Sequence, residues 1–373
     1  MNKPINILYI SEFDFRGSGY LSLSIGVCEE LTKRGCAVTA LGIGYRGDEH
    51  TFSFRLIPIK RAEFVQHIQA AVNNLLYAGL KFDHVVVALD VPWQLRLLDA
   101  LQSTQLPYSG IFPLEAPPLT ASWAAAMFRM KSVFVISKFG TQECLAQGLN
   151  ARYLPVGVDT NMWHRPTKEE RNNTRSMLGF TPEQKIVITV AANQERKNLG
   201  AALEIISKIV RYYPDMQYLM ITDRSAVGWN LDDLKAEYGL SRNVQILGKG
   251  MPVEHVRNYT WAADAALYTS KAEGLGRPVL EAMACGLGVV APDHTSFGEH
   301  IYDPYHLAAV EFKYRDPFGN GWRYFVDTSD AAKKLMNALE YPGTDEERED
   351  RVTYVRNRTP GEAVDVLLEG LNE

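Results

Sequence analysis

One short segment, which begins at Glu273, has the residue types and spacing best suited to chemistry. Glu273 and Glu281 lie eight positions apart, with Gly274, Gly276 and Pro278 between them. Pro278 suits the first turn of a helix, because its missing N–H would have no partner there. The sequence therefore predicts a glycine-containing loop that leads into a helix N-terminus.

Such a loop suits a phosphate or pyrophosphate, because N–H groups at a helix start attract anions and glycine allows close approach. Glu281, about one turn into the helix, would accept hydrogen bonds from ribose or sugar hydroxyls, and Glu273 from a second polyol. Together these features predict a nucleotide-sugar site. On this pair alone, the alternative stays open that Glu273 is a solvated loop residue and Glu281 an ordinary surface charge.

The residues around the two glutamates form a longer and more specific motif. Glu273-Gly-Leu-Gly-Arg-Pro-Val-Leu-Glu-Ala-Met-Ala-Cys-Gly286, followed by Leu287-Gly-Val-Val-Ala-Pro, closely resembles the E-G-[FL]-G-x-P-x-x-E-A-M-A-x-G-x-P-V-V signature of the retaining group 1 glycosyltransferases. The resemblance implies an α/β protein of the GT-B fold, with two Rossmann-like doubly wound domains that face a central cleft. It also implies donor contacts by Gly274, Leu275, Gly276, Arg277 and Glu281, and a catalytic role for Glu273.

A second segment, from Val190 to Leu199, resembles the family's G-R-x-x-x-x-K-[GN] segment. The resemblance implies that Lys197, with Arg196 beside it, supplies positive charge to the donor phosphates, and that Asn193 contacts the donor. The family's usual arginine falls on Ala192. Either Arg196 takes its place, or the leaving group is stabilised less strongly; without the resemblance, an exposed Arg-Lys pair would be an ordinary surface feature.

Two more segments are expected to contact the donor. The turn that contains Gly17 and Gly19 lies between the first strand and the first helix, where doubly wound domains bind ligands, although a tight turn with positive φ is the simpler alternative. Ile246 and Leu247, at the end of a predicted strand, resemble the family segment that recognises the nucleobase. A buried strand that ends in a glycine turn is compatible with the same residues.

The N-terminal half offers an acidic residue near the reacting sugar. Many relatives have a histidine in the corresponding region, but this chain has Glu115 within a Pro-x-[DE]-x-x-Pro-Leu segment. Glu115 is expected to orient the acceptor hydroxyl or the sugar, and Asp90 is the second candidate. The alternative is that both residues are ordinary charged residues in loops, with no role at the site.

Predicted strands and helices alternate in two blocks. The first starts at the strand Asn6–Ile10, and the second restarts at Lys185–Ala191. Alternation of this kind predicts parallel sheets covered by helices. We expect an acceptor-binding domain over residues 1–165 and a donor-binding domain over 166–352, while the resemblance implies that the C-terminal helix, within about 353–373, packs back on the first domain.

Composition is that of an ordinary globular protein, and 373 residues suffice for two cores. The net charge of −5 divides into about +2 for residues 1–165 and about −7 for the rest, which is too mild to argue for nucleic acid. A slightly basic N-terminal half fits an anionic acceptor or peripheral contact with a membrane. The chain shows no apolar run of the roughly 20 residues that span a bilayer and no signal peptide, so we expect a cytoplasmic protein.

The resemblance implies a reaction without cofactor or metal. The sugar of a UDP- or GDP-sugar would pass to a hydroxyl acceptor by front-face displacement, in which the departing diphosphate takes the acceptor proton. The acceptor class stays open among saccharide, lipid, small metabolite, protein and nucleic acid. Two alternatives remain: a nucleotide-sugar epimerase of the same fold, and a non-catalytic nucleotide-sugar-binding subunit of a transferase complex, which Ala192 and the missing histidine motivate.

Overall fold

The structure is a computed structural model that describes residues 4–15, 19–224, 228–248 and 250–373. Its contacts divide the chain into one unit of Met1–Val156 with Arg358–Glu373 and a second unit of Gly157–Asn357. The sequence placed these divisions after residues 165 and 352. The connecting residues belong to the second unit because Trp163 is buried and Trp261 Nε1 donates to the His164 carbonyl at 2.9 Å.

The first unit has a seven-stranded parallel sheet in the order β3-β2-β1-β4-β5-β6-β7. Its strands are β1 (Asn6–Glu12), β2 (Ala37–Ile43), β3 (Arg55–Ile59), β4 (His84–Ala88), β5 (Tyr108–Phe112), β6 (Ser132–Val135) and β7 (Ala151–Tyr153). Its helices are α1 (Leu21–Lys33), α2 (Phe64–Tyr77), α3 (Val91–Leu101), α4 (Ala121–Met127), α5 (Lys138–Ala146) and the C-terminal helix. The order reverses between β1 and β4, which is where doubly wound sheets open a ligand crevice.

The C-terminal helix, Pro360–Asn372, packs within the first unit. Ser132 Oγ donates to the Gly370 carbonyl at 2.6 Å, and a Cβ at Gly370 would lie 2.6 Å from the Phe134 ring. The helix and the sheet therefore approach too closely for a side chain at that position. At the surface, Arg34 pairs with Asp365 at 2.9 Å.

The second unit has a six-stranded parallel sheet in the order β10-β9-β8-β11-β12-β13, and an antiparallel hairpin of β14 and β15. Its strands are β8 (Ile186–Val190), β9 (Gln217–Ile221), β10 (Val244–Leu247), β11 (Ala265–Leu267), β12 (Gly288–Pro292), β13 (Leu307–Ala308), β14 (Val310–Arg315) and β15 (Trp322–Val326). Its helices are α6 (Lys168–Met177), α7 (Leu199–Ile209), α8 (Leu231–Glu237), α9 (Val253–Ala262), α10 (Arg277–Ala284), α11 (Thr295–His300), α12 (Thr328–Glu340) and α13 (Asp345–Arg356). The predicted class, α/β with Rossmann-like parallel sheets, is confirmed.

The hairpin joins two loops of the second unit through its backbone. Tyr324 N donates to the Lys271 carbonyl at 2.8 Å, and Lys271 N donates to the Arg196 carbonyl at 2.8 Å. The Lys271 side chain is buried, bonds to Glu195 and has its ammonium 4.4 Å from the centre of the Phe325 ring. One row of hydrogen bonds thus connects β15, the segment before the signature and the turn that carries Arg196.

Candidate functional site

Two cations and one carboxylate meet at the carboxyl ends of β8 and β11. Lys197 Nζ lies 2.6 Å from Glu273 Oε2, and Arg196 NH1 lies 3.1 Å from the same oxygen. Both cations come from the short 3₁₀ turn Glu195–Lys197 after β8, while Glu273 lies on the loop between β11 and α10. Because β8 and β11 are neighbours in a parallel sheet, the loops that follow them are brought together.

The charge of Glu273 depends on this pairing. Burial acts to raise the pKa of Glu273, but the positive charges of Lys197 and Arg196, with hydrogen bonds from Lys197 and Ser270, lower it to about 2. Glu273 is therefore ionised at neutral pH, and the three charged groups together remain positive. Arg196 is also fixed by a 2.7 Å hydrogen bond to the Ala272 carbonyl.

The predicted glycine-containing loop leads into helix α10. Gly276 precedes the helix with φ 71° and ψ 47°, in the left-handed region, and Pro278 is the second helical residue. A Cβ at Gly276 would lie 3.1 Å from the Phe297 ring and 3.3 Å from Glu273 Cγ. Across the part of the chain that the structure describes, the N–H groups of residues 274–277 have no hydrogen-bond acceptor. This array of donors lies directly beside the stem of Glu273 and suits an anion.

Glu281 lies one turn along the same helix. Its Oε1 accepts from Arg277 Nε at 3.0 Å, and both side chains are mostly buried. Burial raises the pKa of Glu281, and the charge and hydrogen bond of Arg277 oppose that rise. A carboxylate held in this way keeps further lone pairs with which to accept a hydroxyl hydrogen bond.

Two residues that the sequence did not single out hold the signature loop. Glu273 N donates to Thr295 Oγ1 at 3.2 Å, and the Thr295 hydroxyl lies 3.0 Å from His294 Nδ1. Burial lowers the pKa of His294 to about 4, so the ring is neutral at pH 7 and Nε2–H donates to the Ser270 carbonyl at 2.8 Å. His294 and Thr295 lie two and three residues after the end of the signature strand β12, and their position just past that end is the signal that identifies them.

The other predicted donor contacts of the second unit have structural partners. Asn193 is buried; its side chain accepts from Trp229 N and donates to the Trp229 carbonyl, each at 2.9 Å. Ile246 is buried in the edge strand β10, and the Leu247 carbonyl accepts from Thr222 N at 3.0 Å. Their contacts with a donor stay predictions.

The remaining predicted residues belong to the first unit. Gly17 lies outside the described residues, whereas Gly19 has no atom of the described residues within 4 Å of the position of a Cβ. Tyr20 donates to Asp90 Oδ1 at 2.7 Å. Burial raises the pKa of the Tyr20 phenol well above its ordinary value, and the nearby charges of Asp90 and Glu115 add to the rise. Tyr20 thus bonds directly to Asp90, while Glu115 acts on it through its charge.

Metal sites and membrane spans were sought in the residues with described positions. These residues contain no group of three or more His, Cys, Asp or Glu side chains arranged to hold a metal ion. Metal independence itself stays a prediction. None of the described helices combines the length and the apolar character that crossing a bilayer requires.

Comparison with known proteins places the site in a family. The family described as "Glycosyl transferases group 1" matches residues 170–357. A GDP-mannose-dependent monoacylated alpha-(1-6)-phosphatidylinositol monomannoside mannosyltransferase of Corynebacterium glutamicum is 30% identical over 146 residues, which are 37% of each chain. The matched segments of this relative and of a Segniliparus rotundus D-inositol 3-phosphate glycosyltransferase span 37% and 33% of the relatives' lengths.

Solved structures resemble the chain over nearly its whole length. Sucrose-phosphate synthase from Thermosynechococcus elongatus has a TM-score of 0.77 at 16% identity, over 99% of this chain and 98% of its own. Anabaena HepE in complex with UDP and glucose has a TM-score of 0.71 at 13% identity, over 99% of each chain. The fold is GT-B. The family match covers half of the chain and contains Glu273, Lys197 and helix α10, so the chain belongs to the group 1 glycosyltransferases.

Proposed function

We propose that the chain transfers a sugar from a nucleotide-sugar donor to a hydroxyl acceptor, with retention at the anomeric carbon and without a metal ion. One observation carries the proposal: Lys197 and Arg196 converge on Glu273 beside the N–H groups that begin helix α10. This arrangement combines fixed positive charge, backbone donors and a hydroxyl-accepting carboxylate. A site that binds a nucleotide sugar requires all three, because the diphosphate is an anion and the sugar carries hydroxyl groups.

Each residue has a separate role in this proposal. Lys197 and Arg196 neutralise the diphosphate as it leaves, and the N–H groups near Gly276 donate to its oxygens. Glu273 accepts hydrogen bonds from the transferred sugar, and Glu281 from the ribose. The departing diphosphate oxygen takes the proton of the acceptor hydroxyl, so the reaction requires no strong protein base.

One sequence relative and one solved structure support the class of donor. The Corynebacterium glutamicum relative is named as GDP-mannose-dependent, and Anabaena HepE was solved with UDP and glucose. We therefore propose a UDP- or GDP-sugar as the donor. The group 1 match supports transfer to a hydroxyl group.

The test begins with thermal-shift screening of the purified chain against UDP-, GDP- and ADP-sugars, because a ligand of the native state raises its apparent stability. The donor that binds is then incubated with an acceptor panel, with and without EDTA, and the product is examined by NMR for its anomeric configuration. Lys197→Ala is the inactive reference. A retained product formed in EDTA supports the proposal, whereas full dependence on metal or an inverted product contradicts it.

The same assay separates the two alternatives. Release of nucleotide together with an epimerised free sugar, and no acceptor product, favours an epimerase. Donor binding without turnover under any acceptor favours a non-catalytic subunit. The position of Arg196 speaks against the latter, because it brings a guanidinium to Glu273 despite Ala192.

A further inference from the structure

The first unit contains a cavity of about 590 Å³ that the proposed donor site does not use. Glu12, Ile43 and Leu89 line it at the carboxyl ends of β1, β2 and β4. These strands include the pair β1 and β4, between which the strand order reverses. A cavity at such a reversal is the usual ligand position in a doubly wound sheet.

A second cavity of about 480 Å³ adjoins the first and shares Arg61 with it. It lies at the ends of β2 and β3, between residues 44–46 and 58–61. Among the described residues, the side chains that line it include the cations Arg46, Lys60 and Arg61, all exposed, and no carboxylate. Three cations on one small concave surface suit a phosphate group.

Arg61 is held at the boundary between the two cavities. Its NH1 lies 3.0 Å from Glu12 Oε1 and its NH2 lies 3.5 Å from Asp14 Oδ2, while the side chain is 54% exposed. The carboxylates therefore fix the direction of the guanidinium without covering it. An oriented guanidinium loses less side-chain freedom when it binds a ligand.

The larger cavity has a wall suited to a polyol ring. Phe64 and Trp93 meet edge to face with ring centres 4.9 Å apart, and Trp93 is 39% exposed. Arg96 lies 4.8 Å from the centre of the Trp93 ring. The aromatic wall offers an apolar surface, and Glu12 in the same cavity accepts hydrogen bonds from hydroxyl groups.

We propose that the two cavities together bind a phosphorylated polyol. The phosphate contacts Arg46, Lys60 and Arg61, and the hydroxyl-bearing ring occupies the larger cavity between Trp93 and Glu12. The inference rests on the proposed function to the extent that the bound polyol is the acceptor. A soluble sugar phosphate and the head group of a phosphorylated glycolipid share this chemistry.

Binding is measured first without donor, by calorimetry with glucose 6-phosphate, myo-inositol 1-phosphate, glucose and inorganic phosphate. A parallel arm uses sedimentation with phosphatidylinositol vesicles, against vesicles of phosphatidylcholine. We expect a sugar phosphate or the phosphatidylinositol vesicles to bind at least about tenfold more tightly than glucose or phosphatidylcholine, because a hydrogen bond to a charged group is worth about that factor. Equal affinity for phosphorylated and unphosphorylated ligands in both arms overturns the proposal.

The double variant Arg46→Ala/Lys60→Ala locates the site. Its matched control is Arg55→Ala/Lys81→Ala, in which an exposed arginine and an exposed lysine are removed near the amino ends of β3 and β4. We expect the first pair to weaken binding by about tenfold or more and the control pair to leave it unchanged. The assignment is contradicted if the Arg46→Ala/Lys60→Ala variant binds as tightly as the wild type, or if both double variants lose the same amount of affinity.

Kinetics separate this inference from the proposed function. The Arg46→Ala/Lys60→Ala variant should raise the KM of the phosphorylated acceptor while donor hydrolysis without acceptor stays at the wild-type rate. If the wild type turns over donor and the variant's acceptor KM is normal, the acceptor site is wrong and the proposed function stands. If no donor is turned over but glucose 6-phosphate binds through Arg46 and Lys60, the proposed function fails and the binding site stands.

Discussion

Glu273 and Lys197 are 76 residues apart in the chain, yet Lys197 Nζ lies 2.6 Å from Glu273 Oε2. The pair joins the turn after β8 to the loop before α10, and both side chains are largely buried. A buried carboxylate without a cation would be costly to ionise. Lys197 therefore helps to keep Glu273 ionised, and removing the lysine also changes the environment of the carboxylate.

Lys197→Ala should lower kcat/KM by roughly a hundredfold or more, because a charge that stabilises the leaving diphosphate is lost. Steady-state kinetics with the identified donor measure the change. Lys333→Ala, which removes an exposed lysine of α12 in the same unit, is the matched control and should have wild-type kinetics. Wild-type turnover in Lys197→Ala would exclude the assigned role.

Glu273→Gln should remove a pH dependence of stability. Because the pKa of Glu273 is lowered from 4.5 to about 2, its ionised form stabilises the fold above pH 4.5, and this contribution is lost as the pH falls toward 2. The free energy of unfolding of the wild type should therefore fall more steeply over that interval than that of the variant. Urea denaturation at a series of pH values tests this, with the exposed Glu237→Gln as the control; parallel curves for wild type and Glu273→Gln would refute it.

Gly276→Ala should impair both stability and donor use. A left-handed φ costs an alanine about 1–2 kcal/mol, and the new methyl group would also meet Phe297 at 3.1 Å and Glu273 at 3.3 Å. Gly239→Ala separates the strain from the crowding, since Gly239 has φ +68° but no atom of the residues with described positions within 4 Å of a Cβ. Thermal unfolding and donor KM should change more in Gly276→Ala than in Gly239→Ala. Equal changes would mean that crowding at the loop is unimportant.

Glu281→Gln should weaken the binding of the nucleoside diphosphate by about tenfold, because a hydrogen bond to a charged group is usually worth about that factor in affinity. Glu273→Gln should instead weaken the binding of the intact nucleotide sugar more than the binding of the free nucleoside diphosphate, since Glu273 is assigned to the sugar. Calorimetry of both variants with UDP or GDP and with the matching sugar nucleotide tests the assignment. If the two variants respond alike to both ligands, the division of roles is wrong.

Local sequence determined much of the fold. The sequence predicted that the second block starts with a strand at Lys185–Ala191, and β8 covers Ile186–Val190. Gly276 and Pro278 mark the start of α10 because one takes a left-handed φ and the other needs no N–H partner. Signals of this kind come from neighbouring residues, so they can be read without knowledge of the tertiary structure.

Contacts between distant residues could not be predicted in the same way. The hairpin of β14 and β15 was not predicted, and its bond from Tyr324 to Lys271 joins residues far apart in the chain. Asn193 was singled out as a donor contact, but no pattern in the sequence indicates its two hydrogen bonds to Trp229. Neither interaction leaves a periodic pattern, because each involves single residues that meet only after the sheet has formed.

The hairpin also limits what can move around the candidate site. Hydrogen bonds run from Tyr324 through Lys271 to Arg196, so three separate stretches of chain share one rigid backbone frame. Within that frame the Arg196 backbone is tied to β15, and its guanidinium bonds to the Ala272 carbonyl and to Glu273. A change in the length of the hairpin turn, although remote in sequence, would therefore be transmitted to the position of a phosphate-facing guanidinium.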